Sequence, residues 1–342
     1  MSNTKSIIST LPALPDHDAA ELAEGEFELR ELVFGAEHHN QRIDRALVDL
    51  VPEFSRSYLQ QLIDSGAVCV NGRVVGKTSL RIKLTDRGSI ELRPTPQSQS
   101  FKAEHMTLDL VHQDQYLLVI NKPAGLVVHP APGNWSGTLM NGLLGFDSQA
   151  FLLPRAGIVH RLDKDTSGLM VVARRREVMD ALVRAIAARE VKRQYLALAH
   201  GSWRDLKSRQ IDAPVGRDPG NRLRMAVVNL ALHSGKPART DVECLANSDL
   251  GCLVQCTLHT GRTHQIRVHM ASLSHPLVAD LLYGGSLSAG MRRQALHAVK
   301  LAFVHPVTQE PLIFTAPVPA DMQSALVLWG LQYNPDDVRP AH

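Results

Sequence analysis

The sequence predicts an α+β protein built as two units, a small helix–hairpin module followed by a larger domain around an extended, mainly antiparallel or mixed sheet. Three observations lead there. The 342 residues exceed what one small module needs, taking roughly 100–200 residues per domain. Strand-like runs then follow one another too often for a strictly alternating α/β chain. Finally, a helix, helix, hairpin, strand order is complete before that series begins.

Residues 1–35 hold Pro, Ser and a concentration of acid (Asp16, Asp18, Glu21, Glu24, Glu26, Glu28) without a period, and are expected to be a flexible extension. From Arg42 the pattern changes. Ile43, Ala46, Leu47 and Leu50 recur at helical spacing, and Ser55 is placed to cap a second helix, SRSYLQQLIDSG, ending at Gly66. Two β-rich runs around Asn71-Gly72 read as a hairpin, and GSIELRP as a further strand. The module, residues 40–93, carries Arg42, Arg45, Arg56, Arg73, Lys77, Arg81, Lys83, Arg87 and Arg93. A solvated surface accounts for such cations; so do phosphate contacts, which their clustering at the helix-to-hairpin turn favours.

The Pro-, Ser- and Gln-rich stretch 94–105 reads as a linker. Within 106–325 the strand-like runs are LDLVHQD, YLLVINKP, IVHRLD, LMVVAR, YLALAHG, TDVECLA, LVQCTLHTG and HQIRVHM, with helical patterns at SGTLMNGLLG and MDALVRAIAAREV. Residues 326–342 read as a tail.

Lys and Arg total 37 against 34 acidic residues, a formal charge of +3, too mild to prove a polyanionic partner. Removing the acidic extension leaves a distinctly basic remainder. No run reaches the roughly 18 to 20 apolar residues of a membrane span, and no secretory leader opens the chain, so a soluble cytoplasmic protein is expected. The four cysteines fit a reducing compartment, with Cys244, Cys252 and Cys256 read as core.

Three stretches carry chemistry. In HRLDKDTSG, a polar insert between apolar runs, Asp163 is the better placed carboxylate, although Asp163 or Asp165 also suits a simple turn cap before Gly168. In LHTGRTHQIRVHM, Gly261 permits a tight turn and strand alternation would send Thr263, Gln265 and Arg267, or Val268, to faces set by a period of two. A cation beside Asp163 would keep the carboxylate ionised, as a nucleophile or base requires. His259, His264 and His269 lie five apart rather than four, with no clustered Cys, and no metal site is expected. In AREVKRQYLALAHG, Tyr195 fits a core position, or with neighbouring cations a platform for a nucleobase. Phosphate loops, dinucleotide fingerprints, nucleophile elbows and CxxC pairs are missing, so no cofactor is expected.

FSRSYLQQLIDSGAVCVNGRVV resembles the RNA-binding domain named after ribosomal small-subunit protein four. HRLDKDTSG, KRQYLA, TGRTHQIRVH and HPLVADLLYGG, in that order and with NKPAGLVVHP and QALHA, resemble the A-type family of ribosomal large-subunit pseudouridine synthases over residues 106–320. The resemblance implies a pseudouridine synthase fold, an isomerase needing neither cofactor nor metal, and large-subunit (23S) ribosomal RNA, free or within an assembling ribosomal particle, as partner of a monomer. It implies Asp163 as the catalytic aspartate, Tyr195 as the residue stacking on the base, Arg267 as the aspartate's basic partner and Arg161 as an aid to base flipping. Arg161, Arg262, His264, Arg56, Arg73 and Lys77 are the expected RNA contacts. Ala279 departs from the family's pattern, which has Gly there. A binding protein without activity would have no use for an ionised acid in a cleft, and a glycosidase would need a second acid about 5–9.5 Å from the first.

Overall fold

A computed structural model describes residues 28–335, apart from 53, 55, 93–101, 132–133, 205–206 and 222–223. Ser55, most of the expected linker and the acidic residues before Glu28 thus lie outside the described residues. The chain divides into two compact units, Met1–Gln99 and Ser100–His342.

In the first unit, strands β1 (Glu28–Val33), β2 (Val68–Val70), β3 (Arg73–Val74) and β4 (Arg87–Leu92) form an antiparallel sheet in the order β1-β4-β2-β3. Helices α1 (Ile43–Leu50) and α2 (Arg56–Asp64) supply Ile43, Leu47, Leu59, Leu62 and Ile63 to its core. Asn71 and Gly72 both take positive φ, 50° and 72°, as the tight β2–β3 hairpin needs. β1 corrects the expected extent of the N-terminal extension: residues 28–33 pair along all of β4, and Leu32 and Phe34 are buried. Their alternation is masked in sequence by the acidic run beside it.

The second unit is a nine-stranded mixed sheet. Its strands are β5 (Leu110–Gln113), β6 (Leu117–Lys122), β7 (Ser167–Ala173), β8 (Lys192–His200) and β9 (Ser208–Asp212), then β13 (Arg239–Asn247), β14 (Gly251–Leu258), β15 (Leu296–Val304) and β16 (Pro311–Thr315). Short strands β10 (Val215–Arg217), β11 (Met225–Val227) and β12 (Gly235–Lys236) make a separate sheet that has no counterpart among the strand-like runs of the sequence. The large sheet runs β5-β6-β7-β15-β8-β14-β13-β9, with β16 also on β15. All its pairings are antiparallel but one, where Ser167 and Gly168 of β7 run parallel to His297 and Ala298 of β15. At that junction Gly168 has φ 112°, and a Cβ there would stand 2.3 Å from the Ala298 carbonyl oxygen. Only glycine admits this approach.

Helices α3 (Leu139–Phe146), α4 (Arg176–Ala187), α5 (Gln265–Ser272) and α6 (Ala320–Leu328) complete the unit. Two expected strands are corrected. HQIRVHM forms α5, because Gln265 through Met270 are all buried and a helix enclosed on every side has no polar face to reveal its period. IVHRLD forms a loop touching the sheet through one bridge, Ile158 to Val172. The expected tail also begins too early, since Leu326, Trp329 and Leu331 are buried in a core cluster with Met322 and Val318.

Candidate active site

The loop before β7, the end of β14 with the turn after it, and the start of β8 meet at one end of the large sheet. β8 and β14 pair so that Arg193 faces Leu258 and Tyr195 faces Cys256, while Tyr195 also pairs with Ala298 of β15. There they line a cleft of about 760 Å³. Asp163, Tyr195, Arg267, Arg161, Arg262 and His264 all border it, as expected; Arg56, Arg73 and Lys77 belong to the first unit.

Asp163 is held by its backbone. Its carbonyl accepts from Thr166 N at 3.1 Å, and the neighbouring Lys164 carbonyl accepts from Gly125 N at 2.9 Å. Beneath the loop lies Lys122, fully buried, whose Nζ donates to the carbonyls of Pro123, Leu126 and Lys164 at 2.8, 2.9 and 3.0 Å. Burial pushes its pKa down to about 8, against the pull of Asp165 and Asp163. Three acceptors nonetheless match the three donors of an ammonium. Arg293 secures the Asp165 carbonyl at 2.9 Å. The backbone carbonyls of Lys164 and Asp165 thus help to fix the loop's shape.

Arg267 reaches the cleft from α5. Its Nη1 donates to Asp163 Oδ2 at 3.1 Å, while Nε and Nη2 donate to the two oxygens of Asp280 at 2.7 and 2.8 Å. The guanidinium also lies over the Tyr283 ring, 5.0 Å from its centre. Burial alone would lower the Arg267 pKa; Asp280 and Asp163 raise it above the usual value. The contacts from Arg267 and His264 are both to Asp163 Oδ2, and Oδ1 takes no hydrogen bond from a described residue.

His264 opens α5 in the left-handed conformation, φ 56°. Its Nδ1 meets the Tyr283 hydroxyl at 2.7 Å, and its Nε2 stands 3.8 Å from Asp163 Oδ2. Burial pushes its pKa down, opposed by Asp163. Gln265 ties the preceding turn by accepting from Thr260 Oγ1 and Arg262 N and donating to the Arg239 carbonyl and Thr240 Oγ1. His259, His264 and His269 do not converge: His259 pairs with Asp241 and His269 with Thr240 and the Ala213 carbonyl.

Tyr195 is 5% exposed, and burial raises its hydroxyl pKa. It thus joins both readings of its position, packed in the core cluster and bordering the cleft. Asp280, Tyr283 and Lys122 are site residues that the sequence does not single out, although they lie within HPLVADLLYGG and NKPAGLVVHP. At Ala279, where the family's pattern has glycine, φ is 59°. The backbone keeps a glycine-like turn beside Asp280 with a methyl group in place.

A mixed sheet with a cleft whose one described acid is gripped by a doubly anchored arginine, and a separate helix–hairpin unit, mark an α+β protein of two units with a candidate active site in the second. Residues 116–272 match the family model for RNA pseudouridylate synthase, and residues 41–87 that for the S4 domain. The chain is 45% identical over 309 residues to ribosomal large subunit pseudouridine synthase D of Neisseria meningitidis serogroup B, covering 86% of this chain and 80% of that one. With the protein of the same description from Nitrosomonas europaea it shares 44% over 329 residues, 92% and 91% of the two chains. Among solved structures, human RNA pseudouridylate synthase domain containing 1 is 28% identical with a TM-score of 0.54, over 68% of this chain and 93% of that one. The chain belongs to the RNA pseudouridylate synthase family.

Proposed function

We propose that this protein converts specific uridines of large-subunit (23S) ribosomal RNA to pseudouridine, as a monomer acting on free RNA or on an assembling ribosomal particle, with Asp163 as the reacting group. The observation that carries this reading is the carboxylate of Asp163, held at the cleft by Arg267 and the one acid among the described lining residues.

The reaction breaks the bond from uracil nitrogen 1 to ribose carbon 1′, turns the ring, and joins carbon 5 to carbon 1′. The proton lost from carbon 5 is matched by one gained at nitrogen 1, so substrate and product are isomers. Asp163 either attacks carbon 1′ or takes the proton from carbon 2′; in both routes the carboxylate becomes neutral and the negative charge leaves with the uracil as its bond from nitrogen 1 to carbon 1′ breaks. A base must first leave its stack, at a cost of a few kcal/mol, which an aromatic platform and backbone contacts offset. Tyr195 supplies the platform, Arg161 assists the flip, and Arg262 and His264 border the entering nucleotide. Arg56, Arg73 and Lys77 supply cations for RNA phosphates in the first unit. There Asp44, wholly buried, accepts from Arg42, Arg56 and Gln60, and these bonds hold it well below the usual carboxylate range against its burial.

The cleft gives little support to a glycosidase, since Asp165 does not line it. The test is site-resolved pseudouridine in large-subunit RNA, deproteinised or in ribosomal particles, from a strain lacking this gene. Wild type is expected to modify uridines and Asp163→Asn to bind RNA without modifying any. Equal activity of the Asn variant would remove Asp163 from the reaction.

A further inference from the structure

Two polar groups beside the cleft are left unused by the chemistry at Asp163. Arg193, two residues before Tyr195 on β8, is 6% exposed, and its Nε finds no acceptor among the described residues. Its guanidinium has packed against Gly261, where a Cβ would stand 2.9 Å from Nη1. The turn between β14 and α5 therefore leaves room for this side chain without giving it a counter-charge. The second group is His160. Val171 N donates to its Nε2 at 3.1 Å, which places the ring proton on Nδ1, and Nδ1 has no acceptor either. Burial and then the Arg193 charge keep the imidazole neutral, with a pKa pushed down to about 3.

A guanidinium that is 6% exposed, has no ion pair with a described residue and leaves Nε closed off without an acceptor is costly. Arg155, Arg161 and Arg189, which also border the cleft, are exposed and need no partner. Arg193 has no such relief, so its position makes sense only if something brings a negative charge to it. A uracil carbonyl would satisfy one hydrogen bond but leave the charge. A phosphodiester oxygen satisfies both, and the fork of a guanidinium suits it. Arg193 and Tyr195 are about 6.6 Å apart along the strand, a spacing compatible with a base on one and its backbone at the other.

We propose that the guanidinium of Arg193 is the receiving corner for a phosphodiester oxygen flanking the uridine that enters the cleft. This rests on the reading that the cleft takes a uridine of RNA. Gly261 is then a positioning residue, because it admits the guanidinium.

The test uses the full chain carrying Asp163→Asn, which holds RNA without turnover, and target stem-loops in which a single phosphate on either side of the uridine is replaced by an uncharged methylphosphonate. Neutralising one of the two is expected to weaken binding about tenfold or more, with no variant at Arg193 required. Adding Arg193→Gln should weaken binding of the natural RNA by a similar factor, abolish the sensitivity to that methylphosphonate, and reduce the salt slope by about 0.7, the value for one contact to a single strand. Gly261→Ala, which displaces the guanidinium, should lower the same sensitivity if Arg193→Gln does not fold. The proposal is overturned if neither methylphosphonate weakens binding, or if the sensitivity persists unchanged in the Arg193 or Gly261 variant. Failure of the wild-type protein to form pseudouridine in the unmodified stem-loop would instead count against the function on which the proposal rests.

Discussion

Asp280 contributes two of the three hydrogen bonds that orient Arg267 and is itself 2% exposed. It does not itself line the cleft, so its effect on the reaction runs through the arginine. Asp280→Ala would strand a buried guanidinium and should lower stability by about 3–5 kcal/mol, read by urea denaturation. Asp280→Asn keeps one acceptor and the shape. It should fold, yet lower kcat by about tenfold or more with a smaller change in KM, because the pairing of Arg267 with Asp163 is disturbed after substrate is bound. An unchanged kcat in a folded Asn variant would show that Arg267 needs only Asp163 to hold its place.

Among the elements, the loop from Val159 to Thr166 depends on a cross-link that no side-chain pairing at the cleft reveals. Lys122, at the end of β6, joins three carbonyls from two separate segments. Lys122→Met fills the space but removes every donor. It should cost about 2–5 kcal/mol of stability, since the carbonyls of Pro123 and Leu126 lose the ammonium and that of Lys164 keeps only Gly125 N, and should lower pseudouridine formation as the Asp163 loop loosens. How much of this could be read in the sequence follows from the same physics. Strands β6, β7, β8, β13 and β14 were legible because apolar, β-branched runs bounded by turn residues carry a local signal. Asp163 and Tyr195 were legible because polar or aromatic residues interrupt or begin such runs. α5 was not, being buried all round. Lys122 and Asp280 were not assigned because their partners are distant in sequence, and a buried lysine in NKPAG looks like any surface lysine until its acceptors are known.

At the scale of the whole molecule, acid stability should be limited by histidines kept neutral. His297 is 1% exposed, with Nδ1 on Ser167 Oγ at 2.9 Å, and burial pushes its pKa down to about 4. His160 is partly exposed as a residue, but its Nδ1 is closed to water, and its pKa falls to about 3. Both take up a proton more readily once unfolded, where histidine titrates near 6.5. The unfolded chain therefore binds more protons below that pH, and stability falls as pH drops from about 6.5 toward 4, by up to about 1.4 kcal/mol per pH unit for each group. Urea midpoints between pH 7 and 4.5 test this. His297→Gln should flatten the slope, and a midpoint independent of pH would refute the assignment. The two units have separate cores, one from Leu32 to Leu92 and the others beyond Leu117, and this acid sensitivity belongs to the second, where both histidines lie.

Arg267 stands between two carboxylates, and only Asp163 takes part in the reaction proposed above. When Asp163 becomes bonded to the sugar or accepts a proton, it no longer balances the arginine. Asp280 still does, with both oxygens. The trio passes from one net negative charge to none, and at no stage is a bare cation enclosed in the fold. The second aspartate thus lets the first change its chemical state without the surrounding protein having to rearrange in answer.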